Sequence, residues 1–223
     1  LQDKGDPVPF EDIRAQIEEE LDATLEELFD RFDPEPLGTA SLAQAHAAWL
    51  PDGTPVVVKV LHAGIEHSVA TDIRAMRTLF ITGRILRRDR NEMEQIFTEI
   101  QERLEEELDY YKEAANLEFF KRELAHIEGL RVPGTYGSLS TERVLTMDRI
   151  IGAPLDKFLE SATPEARQRA GTILVASFHE QVYRIRCLHA DPHGGNYLFH
   201  TDGSVGLIDF GCVKRLDLWW MAR

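Results

Sequence analysis

Residues 188–211, LHADPHGGNYLFHTDGSVGLIDFG, place the side chains of Asp191 and Asn196 before a predicted hairpin and that of Asp209 after it. Asn196 follows Asp191 by five residues, and Asp209 follows Asn196 by thirteen. The strand-like run 205–208 leads directly into Asp209 and fixes its position. We therefore expect the three side chains to surround one small volume.

This combination of residue types suits the transfer of a phosphoryl group. Charge spreads over the γ-phosphoryl oxygens, and the Mg²⁺ that bridges the phosphates is held by carboxylate and amide oxygens. The same order occurs in the kinase pattern, where a catalytic-loop Asp and Asn precede Asp-Phe-Gly. We predict Asn196 and Asp209 as metal ligands and Asp191 as the catalytic base or orienting carboxylate. Asp-Phe-Gly alone would be a weak signal, because many turns contain it by chance, and the spacing gives it weight.

Lys59 ends the β-branched run Val56-Val57-Val58, which predicts a strand buried on both faces. A buried ammonium without a partner is costly, so this lysine needs an anion, which the α- and β-phosphates of a nucleotide supply. We predict Lys59 as a catalytic and nucleotide-binding residue. In the kinase pattern a glutamate from a neighbouring helix usually pairs with this lysine. The acidic helix predicted over 91–126 offers three candidates, Glu107, Asp109 and Glu113, and the sequence does not decide among them. The alternative is a lysine that extends from a strand edge into solvent.

The loop before the first predicted strand carries one glycine where a protein kinase has G-x-G-x-x-G. Small residues let backbone N–H groups approach phosphates, so we predict this loop as part of the nucleotide site. Because Thr39 and Ala40 do not reach positive φ cheaply, the loop should be stiffer than a glycine-rich one. The predicted nucleotide-binding residues of the loop are Gly38, Thr39, Ala40 and Ser41.

The remaining sequence predicts an α+β chain with two lobes. The predicted order is helices over 10–32, strands around an Asp52-Gly53 hairpin turn, helices over 64–88 and 91–126, strands over 130–138 and 142–151, and helices that start at Pro154 and Pro164, the second reaching 187. A break near 150–154 is a natural hinge, and Met147 just before it is assigned to the nucleotide site. We expect an N-terminal helical extension over 1–36, an N-lobe with inserted helices over 37–150 and a partial C-lobe over 151–223.

Composition restricts the partners and the cellular compartment. The 223 residues carry a formal net charge of −14, which repels phosphate backbones, so we expect no nucleic-acid partner. The sequence shows no signal peptide and no apolar run of the roughly 18–20 residues that span a bilayer. Cys187 and Cys212 are too few for a disulfide framework, so we expect a cytoplasmic protein. The first residue is not Met, so we expect a piece of a longer protein.

Several segments occur in an order that resembles one known family. Along residues 1–217 the chain contains PLGTASLAQAH, VVVKV, ELDYYKEAANLEFF, VPGTYGSLSTERVLTMDRIIG, LHADPHGGN and LIDFG, as in the UbiB/AarF (ABC1-type) atypical kinases. The resemblance implies a bilobal protein-kinase-like fold with an antiparallel N-lobe sheet and a helical C-lobe, here truncated. It implies binding of Mg²⁺ with ATP or ADP. It also implies a role in isoprenoid-quinone or lipid metabolism, with a lipid or quinone precursor as substrate and peripheral membrane association through parts outside this chain.

The resemblance also assigns roles to individual residues. It implies an alanine-rich loop at 38–41 that disfavours ordinary protein-kinase activity. Glu107-Leu108-Asp109 resembles the family's E-x-D motif, and Glu113 is then the expected helix partner of Lys59. The sequence departs from the family at Gly194, where a proline is usual, and it does not contain the family's upstream K-x-G-Q motif.

Three other functions are compatible with the residues of this sequence. A small-molecule phosphotransferase of the aminoglycoside- or choline-kinase type shares the H-x-D-x-x-x-x-N chemistry, although the segment 107–116 favours the UbiB-like branch. A nucleotide-binding scaffold without turnover needs the same site. A zinc site built from Cys187, His189, Asp191 and His193 has suggestive spacing but lies inside the phosphotransfer loop. The phosphate acceptor stays open between water, a lipid headgroup and a quinone precursor.

Overall fold

The structure, a computed structural model, describes residues 7–65, 95, 96, 98, 100 and 108–216. Its helices are α1 (Phe10–Leu21), α2 (Leu25–Leu28), α3 (Tyr110–Leu124), α4 (Leu155–Ser161) and α5 (Pro164–His179), with 3₁₀ turns at Gly137–Leu139 and Gly194–Asn196 and a π-helix at Glu180–Ile185. Its strands are β1 (Arg31–Thr39), β2 (Ala43–Trp49), β3 (Pro55–Leu61), β4 (Leu130–Arg131), β5 (Val144–Asp148), β6 (Cys187–His189), β7 (Tyr197–Phe199), β8 (Val205–Leu207) and β9 (Val213–Arg215).

The first sheet orders its strands β1-β2-β3-β5, each antiparallel to its neighbour. The predicted Asp52-Gly53 hairpin between β2 and β3 is confirmed, and its glycine, at φ 84°, supplies the left-handed backbone that the turn needs. Val56, Val58 and Val60 of β3 are fully buried. β3 is thus an interior strand, as its β-branched run predicts, and it carries Lys59 into the middle of the sheet.

Strand β1 corrects the predicted extent of the N-terminal helices. The sequence predicts helix up to residue 32 and a domain boundary at 36, but β1 begins at Arg31 and runs through that boundary. Pro34 and Pro36 fit an edge strand, whose pairing with β2 is interrupted by register shifts on both sides of Pro36. Helices α1 and α2 and strand β1 share one apolar core with β3. The predicted helix therefore ends at Leu28 instead of residue 32, and the division of the chain into domains stays a prediction.

The predicted helix over 91–126 is interrupted before α3. Positions 95, 96, 98 and 100 are helical, but the chain turns at Leu108 and α3 begins at Tyr110. Asp109 is the N-cap, and its carboxylate accepts hydrogen bonds from the backbone N–H groups of Tyr111 (3.1 Å) and Lys112 (3.3 Å). The predicted helix over 64–88 lies outside the described residues except for its first two positions.

The segment 130–151 forms less strand than its alternation predicts. β4 is only two residues long and pairs in parallel with β8, and a 3₁₀ turn precedes β5. Pro133 has no N–H for a strand ladder. Gly134 donates its N–H to the side-chain carboxylate of Asp148 (2.7 Å) instead of to a backbone carbonyl. β5 is therefore the part of this segment that extends the first sheet.

The C-terminal helices begin at prolines, as predicted. Pro154 is the N-cap of α4, and Pro164 is the first residue of α5. The helical run continues through the π-helix and stops at Ile185 rather than at the predicted 187, because Arg186 adopts a left-handed backbone (φ 52°) that turns the chain into β6. The predicted hairpin is present as β7 and β8, and β6 pairs with β9.

One apolar core joins the two halves of the chain. It contains Leu117 and Phe120 of α3, Leu145 and Met147 of β5, and Phe210 just after β8. The mixture of helices and antiparallel strand pairs confirms the predicted α+β class. None of the described helices has the length and apolarity needed to cross a bilayer.

Gly203, in the turn between β7 and β8, and Gly171, in α5, should respond in opposite ways to substitution by alanine. Gly203 has φ 83°, and a Cβ at this position would lie 2.4 Å from the carbonyl oxygen of Ala166. We expect Gly203→Ala to lower the free energy of unfolding by more than about 2 kcal/mol, because backbone strain and the contact both oppose a methyl group. Gly171 lies in α5 with open space at its Cβ position, so Gly171→Ala should raise that free energy by about 1 kcal/mol. Equal effects of the two substitutions in urea unfolding would contradict this account.

Candidate functional site

A cavity of about 700 Å³ lies between the first sheet and the β7–β8 hairpin. Residues 148–152, from the end of β5 onwards, and 154–156, at the start of α4, contribute to its wall, so the cavity lies at the predicted hinge. Its sheet side is lined by Leu37, Ala45, Val57, Lys59 and Met147, and its opposite side by residues 193–198 with Ile208 and Asp209.

Lys59 forms two ion pairs at the wall of this cavity, and the pair with Asp209 joins its two sides. Its Nζ lies 2.6 Å from Glu113 Oε1 and 2.7 Å from Asp209 Oδ2. Lys59 is 8% exposed and Glu113 is 4% exposed, so both groups are largely removed from water. Glu113 also accepts the backbone N–H of Phe210 (3.4 Å), and the Tyr110 ring lies 5.7 Å from the ammonium. The structure thus brings together Lys59, Glu113 and Asp209, which the sequence assigns to one site.

Burial and mutual charge set the ionisation of this cluster. Burial opposes the charge of Lys59, but the Asp209 and Glu113 carboxylates outweigh it and raise the Lys59 pKa above its usual range. Burial would also raise the Asp209 pKa, but the charge and hydrogen bond of Lys59 lower it instead. Burial, reinforced by Asp209, raises the pKa of Glu113 to about 7 despite Lys59. Asp209 is therefore the stronger acid of the two carboxyl groups.

Asp191 and Asn196 are linked within the loop between β6 and β7. The Asn196 Nδ2 group donates to Asp191 Oδ2 (2.8 Å) and to the Asp191 carbonyl oxygen (3.1 Å). The amide oxygen of Asn196 is then the atom that can accept from, or bind, a group in the cavity that Asn196 lines. The Asn196 carbonyl accepts the Ile208 N–H (3.0 Å), which fixes the loop beside Asp209. Asp191 itself is exposed and does not line the cavity.

Buried side chains that the motif pattern does not reveal hold this loop in place. Gln181 of the π-helix accepts the His189 N–H through Oε1 (2.8 Å) and donates to Ser177 Oγ through Nε2 (2.9 Å). The side chains of Gln181 and Ser177 are both buried. Gln181 and Ser177 lie four residues apart on the buried face of the helical run that also carries Ala170 and Ile173. This spacing is the signal in the sequence that could have indicated the pair.

Phe210 fixes the position of Asp209 from the apolar side. Its ring is fully buried and lies 4.5 Å from that of Phe120 on α3, and its carbonyl accepts a hydrogen bond from Asn116 Nδ2 (3.0 Å). The His189 ring packs edge-on at 5.4 Å. Burial lowers the pKa of His189, and the nearby carboxylates offset this only in part, so the ring packs as a neutral group.

The other predicted site residues lie in different places. Met147 lines the cavity, as does Leu37 just before the small-residue loop. The loop residues do not line the cavity; the Ala40 N–H closes the β1–β2 turn onto the Ala43 carbonyl (2.8 Å). The nucleotide-binding role of Gly38, Thr39, Ala40 and Ser41 stays a prediction. Asp109 also lies outside the cavity wall, because its carboxylate caps α3, and Glu107 lies outside the described residues.

The oxygen atoms at Asp209 suit a magnesium ion that is shared with phosphates. Mg²⁺ is usually held by one or two protein carboxylates, with phosphate and water oxygens completing its shell. Asp209 and Asn196 supply a carboxylate and an amide oxygen on one side of the cavity. Within the described part of the chain, no group of three His, Cys, Asp or Glu side chains is arranged to hold a metal ion, so the zinc alternative has no geometric support.

Comparison with known proteins identifies the family. The profile of the ABC1 atypical kinase-like domain matches residues 1–219. The chain belongs to the ABC1 family. The match confirms the resemblance to UbiB/AarF atypical kinases that the sequence motifs indicate.

Individual relatives of this ABC1 chain agree with the assignment. A probable protein kinase UbiB from Xylella fastidiosa is 34% identical over 235 residues, which cover 100% of this chain and 43% of the relative. An uncharacterized chloroplastic aarF domain-containing protein kinase from Arabidopsis thaliana is 36% identical over 227 residues, which cover 96% of this chain and 41% of the relative. The chain thus spans less than half the length of these relatives.

A solved structure supports the fold. The complex of Rv3197 with erythromycin from Mycobacterium tuberculosis matches with a TM-score of 0.81 and 29% sequence identity, covering 95% of this ABC1 chain and 53% of the other. Together with the four-stranded antiparallel sheet, this similarity confirms the predicted kinase-like α+β fold.

Removal of the Gln181 amide should destabilise this ABC1 domain. Gln181→Leu keeps a similar side-chain size but leaves the buried His189 N–H without its acceptor, so we expect a loss of about 1–3 kcal/mol in the free energy of unfolding. Gln168→Leu is the matched control, since Gln168 is exposed on α5, and it should change stability by less than about 0.5 kcal/mol. Urea unfolding followed by circular dichroism measures both variants. Equal stability of the two would show that this hydrogen bond does not hold the loop.

The pKa of Glu113 should depend on Asp209. Asp209→Asn removes a negative charge that helps to raise the Glu113 pKa, so we expect that pKa to fall from about 7 towards its ordinary value. Carbon-13 NMR of labelled glutamate carboxyl groups follows the titration. Asp22→Asn, an exposed change outside the cavity wall, should leave the Glu113 titration where it is. A Glu113 pKa that is the same in Asp209→Asn and in the wild type would rule out the coupling.

Proposed function

We propose that this ABC1 chain forms the nucleotide-binding core of an atypical kinase or ATPase, which binds Mg-ATP and transfers or hydrolyses its γ-phosphate. The observation that carries the proposal is the buried Lys59 ammonium, held 2.6 Å from Glu113 and 2.7 Å from Asp209 at the wall of a cavity. A lysine fixed in this way presents a preorganised positive charge to an anion that enters the cavity. Relatives named as probable protein kinases agree with this chemistry.

The cavity combines apolar and charged side chains, as a nucleotide site requires. Leu37, Ala45, Val57 and Leu198 contribute apolar side chains to its wall. In this proposal they contact the faces of the adenine ring, and the ring's polar edge meets backbone groups of the segment after β5. Lys59 then lies at the phosphates.

The polar side chains of the site have different roles in the proposed reaction. When bound, Mg²⁺ would supply positive charge that stabilises the γ-phosphoryl oxygens. Asp209 and Asn196 would hold the ion through their oxygen atoms. Lys59 balances phosphate charge. Asp191 orients the attacking hydroxyl group or water, and its carboxylate is held for this purpose by Asn196 Nδ2 at 2.8 Å.

The proposed biological role is support of isoprenoid-quinone or lipid metabolism. It rests on membership of the ABC1 family and on relatives that carry the name UbiB. This chain spans 43% of the Xylella fastidiosa relative, so the acceptor and any membrane contact are proposed for a longer protein. A lipid or quinone precursor is the proposed acceptor, and parts outside this chain are the proposed membrane contact.

Nucleotide binding gives the direct test. We expect ATP with Mg²⁺ to raise the melting temperature of the wild-type chain, with a stabilisation of about 2.7 kcal/mol when the ligand is present at 100 times Kd. Asp209→Asn should lose the Mg²⁺-dependent part of the shift, because a neutral amide replaces the metal-binding carboxylate. Differential scanning fluorimetry with ATP and ADP, each with and without Mg²⁺, measures the shifts. Asp22→Asn is the matched control, since Asp22 is exposed and does not line the cavity.

The outcomes separate the site from the reaction. A Mg²⁺-dependent shift that survives in Asp209→Asn would remove Asp209 from the metal site. A wild-type chain that shows no shift with ATP would contradict nucleotide binding. Phosphate release by the full-length protein then distinguishes turnover from a nucleotide-binding scaffold. Rapid phosphorylation of choline or an aminoglycoside would favour the small-molecule phosphotransferase.

A further inference from the structure

Both carboxylate oxygens of Asp209 have a hydrogen-bond partner. Oδ2 lies 2.7 Å from Lys59 Nζ, and Oδ1 accepts the backbone N–H of Gly211 at 3.1 Å. The Asp209 side chain is 31% exposed and forms part of the cavity wall. A metal ion that binds Oδ2 therefore shares that oxygen with an ammonium group.

A divalent ion and Lys59 cannot share Oδ2 at low cost. Mg²⁺ binds oxygen at about 2.0–2.1 Å, which places it within about 5 Å of an ammonium bound to the same oxygen. Charges of the same sign repel strongly at this separation. Lys59 is 8% exposed, so water and salt screen the repulsion only weakly.

We propose that Lys59 and Mg²⁺ compete for Asp209, so that the nucleotide binds first and frees Asp209 for the metal ion. This inference rests on the proposed function, because the nucleotide supplies the anion that draws Lys59 away. The exchange keeps every charge paired. The ammonium exchanges a carboxylate for a phosphate, and the carboxylate exchanges the ammonium for Mg²⁺.

Glu113 keeps Lys59 in place during this exchange. The 2.6 Å contact with Glu113 does not involve the atoms that a metal ion would use, and Glu113 is itself fixed on α3 and by the Phe210 N–H (3.4 Å). An ammonium has three N–H donors. The donor on Asp209 can therefore turn towards a phosphate oxygen while the Glu113 bond remains.

Competition and independent binding predict opposite results for a Lys59 substitution. If Lys59 competes with the metal ion, removal of its charge increases the affinity of Asp209 for a divalent ion while weakening the binding of ATP. If the two groups act independently, the affinity for the metal ion alone stays the same. The sign of the change in metal affinity thus distinguishes the two.

Metal binding without nucleotide is the test. Mn²⁺, which takes the same carboxylate and water ligands as Mg²⁺, is titrated into the chain at pH 8 and its free fraction is measured by electron paramagnetic resonance. We expect Lys59→Met to bind Mn²⁺ at least about tenfold more tightly than the wild type, and Lys59→Met/Asp209→Asn to lose that gain. Lys157→Met is the charge control, because the Lys157 side chain is 62% exposed and pairs with Glu160 on α4. Its Mn²⁺ affinity should stay within about twofold of the wild type.

A second variant keeps the test decisive if Lys59→Met does not fold. Lys59→Met/Glu113→Gln removes one carboxylate together with the lysine, retains Asp209 and should show the same gain. Equal Mn²⁺ affinity in the wild type and the folded Lys59 variants would overturn the competition. ATP binding by the wild type, measured alongside, separates this inference from the proposed function. ATP binding without the gain refutes the competition alone, whereas the gain without ATP binding refutes the nucleotide function and leaves the competition for Asp209 standing.

Discussion

A buried ammonium requires anions beside it, and in this domain that requirement joins three distant parts of the chain. Lys59 lies in the middle of the first sheet, Glu113 lies 54 residues later on α3, and Asp209 lies 150 residues later after β8. Neither carboxylate reaches Lys59 unless sheet, helix and hairpin pack in one arrangement. The contact between Phe210 and Phe120 holds the same two segments together, since each ring lies on the element that carries a carboxylate. Apolar packing and charge pairing therefore select the same geometry.

Elements specified by local chemistry could be predicted from the sequence, and those decided by a competing interaction could not. The Asp52-Gly53 turn, the hairpin before Asp209 and the helix starts at Pro154 and Pro164 depend on a few neighbouring residues, and all four are present. The helix predicted across Asp109 is wrong because the apolar spacing continues on both sides, while the Asp109 carboxylate binds backbone N–H groups and starts a new helix.

In the candidate site, too, some features could be predicted from the sequence and others could not. The proximity of Asn196 to Asp191, and of Asn196 to Asp209 on one side of the cavity, could be predicted because one hairpin and its two flanking loops hold all three residues. Their roles in binding and catalysis stay predictions. The partner of Lys59 could not be chosen from the residues alone, since charge does not distinguish Asp109 from Glu113. The start of α3 decides between them. It places the first carboxylate on the helix cap and the second, in the first turn, against Lys59.

The loop that carries Asp191 is held by hydrogen bonds, and Gly194, the position at which the resemblance to UbiB/AarF kinases implies proline, makes no packing contact through its Cβ position. The backbone of Gly194 lies outside the left-handed region, and no atom lies within 4 Å of its Cβ position. The position therefore needs neither the freedom of glycine nor the bulk of a ring. Asn196 holds the carboxylate and carbonyl of Asp191, and Gln181 holds the backbone just before it. Both ends of the loop are therefore fixed by side-chain hydrogen bonds rather than by packing at residue 194.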